Sequence, residues 1–129
     1  MKRNMKVVLM TTKTIELRKD IVKILKTVNS NIYCRRADNK GLYPHVIYTI
    51  EDIYQAKVLN IEIWDKADGT TRIETIADNI ENLKDELVNN ENHSIILYYN
   101  EDRKWIDDDD KDIQRINLSF EIRFYGKEK

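Results

Sequence analysis

Apolar and polar side chains alternate most strictly near the C-terminus. Ile116, Leu118, Phe120, Ile122 and Phe124 interleave with Asn117, Ser119, Glu121 and Arg123. A strict period of two predicts a strand with one face buried and the other wet. The same period runs from Lys57 to Trp64, where Leu59, Ile61 and Ile63 oppose Val58, Asn60, Glu62 and Trp64. Asp68-Gly69 then signals a turn. Thr71-Arg-Ile-Glu74 reads as a capping box, with the Thr71 hydroxyl accepting from the Glu74 amide. Behind it Ile73, Ile76, Ala77, Ile80, Leu83 and Leu87 fall at helical spacing and make one apolar stripe. A half-buried strand followed by a one-sided helix is stable when the helix lies on the sheet over a shared core.

The remaining pattern fits around that unit. Thr12 to Val28 predicts a first helix, with Leu17, Ile21, Ile24, Leu25 and Val28 on its apolar face and Asn29-Ser-Asn31 as its stop. Ile32 to Arg36 reads as a short strand and Ala37 to Leu42 as a loop. Pro44 opens a β-rich stretch, His45 to Ile53, and suits an edge strand, because proline cannot donate to a ladder. The short link Tyr54-Gln-Ala56 makes this strand and the next an antiparallel hairpin. After the second helix come a turn at Asn89 to Asn92, a strand from His93 to Asn100, and a turn at Glu101 to Lys104. Trp105-Ile106 extends the ribbon and Asp107 to Asp112 forms an acidic loop. The expected fold class is α+β: a single, mostly antiparallel (mixed) β-sheet with two α-helices packed on one face. At 129 residues the chain reads as one domain, with residues 1–10 an N-terminal extension.

Composition narrows the function classes. The net charge of −1 leaves no global basic footprint for nucleic acid. No apolar run reaches the length of a membrane-spanning helix, so no membrane partner is expected. Basic residues before Val7-Val-Leu-Met10 echo a signal peptide, but the patch is short and no small-residue cleavage site follows, so a cytoplasmic chain is expected. Met10 is an alternative start. The single cysteine, Cys34, permits neither an internal disulfide nor a cysteine metal cage.

No catalytic constellation emerges. His45 and His93 lack partners at metal-ligand spacing and read as surface or edge residues. Cys34 has no base placed beside it, and Ser30, Ser94 and Ser119 lack a nucleophile-elbow context. Asp107-Asp-Asp-Asp110 lacks the spacing, glycine and terminal glutamate of an EF-hand. It reads either as a solvated loop or as a wall that repels DNA phosphates and lets DNA slide past. Basic residues gather early, including Arg18, Lys19, Lys23 and Lys26, and acidic ones late, at Glu101, Asp102, Asp107 to Asp110 and Asp112. Such asymmetry suits complementary patches on neighbouring subunits, or simple solubility. The tyrosines in or beside strands serve interfaces, serve as ordinary strand residues, or stack single-stranded bases. With no metal site and no cofactor site, an interaction protein is the leading class.

The order of motifs resembles the phage tail terminator, or tail completion (tail-to-head joining), family. Ile32-Tyr-Cys-Arg-Arg36 sits where that family has a short strand after its first helix. Tyr43-Pro-His-Val-Ile-Tyr48 is similar to its proline-anchored strand, and Leu59-Asn-Ile-Glu-Ile-Trp-Asp65 with the helix behind it to its central strand and second helix. Asp112-Ile-Gln-Arg-Ile-Asn-Leu-Ser-Phe-Glu-Ile-Arg123 looks like its closing strand. The resemblance spans roughly residues 11–126 and leaves out the acidic loop. It implies a structural virion protein without enzyme activity or cofactor, forming a ring, typically a hexamer, on the head-proximal end of the tail tube. The ring stops tube growth and offers a docking surface to the head. Implied partners are copies of itself, the tail tube protein and a head connector or head-completion protein, with DNA passing through the lumen without specific binding. The implied location is the neck of the tail, after assembly in the host cytoplasm. Unpaired strand edges are natural seams in such a ring. Candidates are Pro44, Val46 and Tyr48 on the first edge, and Tyr98 and Trp105 on the ribbon. Asp107, Asp108, Asp109 and Asp110 are candidates for the lumen or docking rim. The alternatives are another neck or head–tail joining protein, or a small cytoplasmic nucleic-acid-binding or regulatory module.

Overall fold

The computed structural model describes residues 15–37, 42–53, 56–91 and 93–126. Helix α1 occupies residues 15–26 of that range; the expected start at Thr12 lies outside it. The elements that follow are β1 (Ile32–Cys34), β2 (His45–Ile53), β3 (Ala56–Lys66), α2 (Thr71–Glu81), β4 (Leu87–Asn89), β5 (His93–Tyr99), β6 (Lys104–Ile106) and β7 (Ile113–Gly126). One sheet runs in the order β1-β2-β3-β7-β5-β4, with β6 also paired to β7. Among the described strand pairs only β1–β2 is parallel, so the fold is α+β with a mostly antiparallel mixed sheet.

The two strands with the strictest alternation lie side by side at the centre. Leu59 pairs with Phe120, Ile61 with Leu118 and Ile63 with Ile116, so opposite apolar residues share one face. That face also carries Val46, Tyr48, Ile95, Leu97 and Ile122, and it is covered by Leu17, Ile21 and Leu25 of α1 and Ile73, Ile76, Ala77 and Ile80 of α2. Strand β7 is long enough to hold β3 along one side and, in succession, β6 and β5 along the other. The hairpin between β2 and β3 has the expected antiparallel register, from His45↔Trp64 to Ile53↔Ala56.

Several local expectations are corrected. Thr70, not Thr71, is the N-cap of α2, and its side chain makes no capping hydrogen bond; the Glu74 amide bonds the Thr70 carbonyl at 3.0 Å. The start is held instead by Asp65, which is fully buried at the end of β3. Its carboxylate accepts from Arg72 Nε at 2.9 Å and from the Lys66 amide at 2.7 Å, and it also pairs with Arg72 Nη2. The helix ends at Glu81, so Leu87 does not extend its stripe. Leu87 opens the unexpected strand β4, exposed to solvent. Two further ties join the layers. Arg103 donates to Asp78 at 2.7 Å and Glu81 at 3.0 Å, clasping the β5–β6 connection to α2. Asp20 of α1 meets His93 Nε2 at 2.5 Å and accepts from Asn90 Nδ2 at 3.2 Å.

Tyr48 links this packing to pH. Burial pushes its phenol well above the ordinary range, and the Cys34 thiol beside it adds to the shift. Burial, then Glu81, likewise raises Tyr99. The folded chain therefore keeps protons that the unfolded chain releases near pH ~10. This contribution to stability is fully present below that pH and is lost as pH rises through the folded values. Urea titrations should show stability falling above pH ~10, and Tyr48→Phe should make the fall shallower. An unchanged alkaline slope in the variant would remove Tyr48 from the account.

Candidate functional site

The sheet face opposite the helices has no covering layer among the described residues, and three kinds of surface lie on it. At one end is an aromatic nest. His45 stacks on Trp64 with ring centroids 5.9 Å apart and meets Tyr33 and Tyr43 at 5.7 and 5.1 Å. Arg115 lies over the Trp64 ring at 4.0 Å, and Leu42 O sits 2.8 Å from His45 Nδ1. Alternation alone placed Trp64 on a wet face; here it is half-buried by these neighbours. His45, expected at the surface, is only 4% exposed, and His93, on the helix side, only 1%. Both fill packing positions that a sequence pattern cannot distinguish from an edge.

At the centre is a polar concavity of about 420 Å³ lined by Thr49, Asn60, Glu62, Lys104, Asn117 and Ser119, among others. The Ser119 amide donates to Asp102 at 2.8 Å, and Asn100 Nδ2 donates to the Ser119 hydroxyl at 2.8 Å, so the β5–β6 connection closes one wall. Asn117 Oδ1 is buried without a partner among the described residues. At the far end Leu87, Tyr98 and Tyr125 are exposed, with Arg123 5.7 Å from the Tyr98 ring centroid.

The candidate edge residues separate. Pro44 precedes β2, but Val46 and Tyr48 are buried in the core, and β1 pairs with β2 across Val46, Ile47 and Tyr48. They do not form an open edge; among the described residues, the second half of β2, from Thr49 onward, has no outer strand. Pro44 is compatible with this because it stands before the ladder begins. Tyr98 projects from an interior strand, since β5 lies between β7 and β4. Trp105 is 51% exposed on β6, whose outer side has no strand partner among the described residues. Its register with Ile116 puts it on the helix-bearing side.

The acidic loop joins β6 to β7. Asp107, Asp109 and Asp110 are exposed, and Asp108 lies 3.6 Å from Arg115 Nη1. Asp108 accepts from the Asp110 amide at 3.0 Å and Asp110 from the Asp112 amide at 2.9 Å, so the loop spends carboxylate oxygens on its own backbone. No group of three or more His, Cys, Asp or Glu among the described residues is arranged to hold a metal ion. No helix in the described chain is long and apolar enough to cross a membrane. Tyr54, in the link between β2 and β3, lies outside the described residues.

No family model matches the chain, and no curated protein matches it. Among solved structures, the chain is similar to one from the "Virion of native gene transfer agent (GTA) particle", with a TM-score of 0.60 and 19% sequence identity, covering 80% of this chain and 84% of that one. At that identity the likeness carries the fold alone.

Proposed function

We propose that this chain is a structural protein of a phage-type virion, acting as a tail terminator. In this reading copies assemble as a ring, six in the form the motif order resembles, on the head-proximal end of the tail tube. The ring ends tube polymerisation and presents the surface to which the head connector docks. The observation that carries the proposal is the fold shared, over most of both chains, with a virion component. Two features of the chain support it. Side-chain ties such as Asp65–Arg72 and Asp20–His93 join the layers into one unit. Exposed strand edges lie on both margins of one sheet, which suits a part that locks beside copies of itself. The protein is then no enzyme and needs no cofactor, and its place is the neck of the particle.

Gold-labelled antibody against the protein should mark the head–tail junction of particles, and the purified chain should bind isolated tail tubes at one end. Labelling along the tube or on the head shell would end the terminator reading. Junction labelling without tube binding would favour a different neck protein.

A further inference from the structure

The two margins of the sheet that no described strand covers differ in charge. On the first, β1 covers β2 only as far as Tyr48. The Val46 amide bonds the Asn31 carbonyl at 2.9 Å and the Arg35 amide bonds the Tyr48 carbonyl at 2.8 Å. Arg35, at φ 72°, then turns the chain away. Along a strand, alternate residues aim their backbone groups to the same side. Ile50 and Asp52 therefore point their N–H and C=O groups outward on the side that β1 has left. A groove of about 320 Å³ follows this edge; its walls carry Arg18, Arg35 and Lys57 beside Glu51 and Asp52, and include Cys34. Lys57 is paired with Asp52 at 2.6 Å, whereas no ion pair among the described residues engages Arg18 or Arg35. On the opposite margin stands β6, with no outer strand among the described residues, flanked by Asp102 and the acidic loop. Asp107 and Asp109 are exposed and make no hydrogen bond or ion pair among the described residues.

We infer that the β6 margin of one copy seats in the β2 groove of the next, with Asp107 and Asp109 of one copy facing Arg18 and Arg35 of its neighbour. This rests on the ring reading and specifies its seam. The occupant is a second copy because this chain supplies both the groove, whose Arg18 and Arg35 make no ion pair among the described residues, and the acidic edge that complements them. The two lie on opposite margins, so each copy offers one end of each kind. Such a contact is heterologous and propagates until rotation closes it. It assigns the acidic loop to the seam between subunits instead of the lumen wall.

Cys34, the single cysteine, lies in the groove and makes the test direct. Asp109→Cys adds a second thiol on the opposite margin. With a short bis-maleimide at millimolar protein, this variant should give a ladder of dimers, trimers and higher species. The ladder should weaken with added salt, because the contact is between exposed charges. The unchanged chain, and Asp109→Cys combined with Cys34→Ser, should give none. Arg18→Glu with Arg35→Glu should abolish the ladder in the Asp109→Cys background, and circular dichroism should confirm that this variant stays folded. Dimers without higher species would mean a two-fold contact and overturn the inference. Sedimentation of the same samples separates the two claims. Large assemblies without a ladder overturn this seam and leave the ring standing; a monomer at every concentration overturns both.

Discussion

Ile122→Asp is expected to yield no soluble folded protein. Ile122 is 2% exposed on the helix-bearing face of β7, in register with Lys57 on one side and Leu97 on the other. The substitution removes a buried aliphatic side chain, worth ~1.5–3 kcal/mol by transfer. It also places a carboxylate in the core with no partner, which costs several kcal/mol more. Together these rival the ~5–15 kcal/mol that separates a folded domain from its unfolded chain. Ile122→Val removes one methylene and should cost only ~0.5–1.5 kcal/mol. Asp109→Asn, on the exposed loop, should leave the denaturation midpoint nearly unchanged. A soluble Ile122→Asp variant with a native-like melt would mean that β7 does not build the core as described.

The same strand shows what a sequence can reveal and where it stops. Period two along β3 and β7 is a local property of the chain, and it identified Leu59, Ile61, Ile63, Ile116, Leu118, Phe120 and Ile122 as one buried face. The hairpin between β2 and β3 was legible for the same reason, because its two strands are separated by a short link. Edge or interior status is different. It depends on which distant strand arrives alongside, and β1 reaches β2 from across a loop, which is why Val46 and Tyr48 read as edge residues and turned out to be core. Leu87 misled for a simpler cause. It continues a four-residue spacing from Leu83, yet the chain turns after Glu81, with Asp85 at φ 64°, and starts a strand.

The ties between layers were partly readable. Asp65 follows Leu59, Ile61 and Ile63 with the parity of the core face, so an acid there had to be buried and needed a cation. Arg72, one residue into α2, supplies it. The Asp20–His93 and Arg103–Glu81 contacts join residues far apart in sequence and had no local signature. The outward groups of β2 at Ile50 and Asp52 belong to the same class. They became visible only once the bonds of Val46 and Tyr48 to the β1 segment gave the phase of the strand.

On the tail-terminator proposal, deleting the gene for this chain from a phage or prophage that carries it should abolish joined particles and leave tail tubes of uncontrolled length. A tube grows by adding the same interface at its free end, so nothing within the tube protein stops it. A cap must bind the growing face and offer a different surface beyond it. The proposal draws on this fold, in which one sheet presents a margin on each side while its helices bury one of its faces. Electron micrographs of lysates should therefore show filled heads without tails and tubes spread well beyond the normal length. Supplying the intact chain in trans should restore both length and joining; supplying Ile122→Asp should restore neither. Tubes of normal length beside unattached heads would assign the protein to head–tail joining alone. Normal, infectious particles in its absence would remove it from the tail altogether.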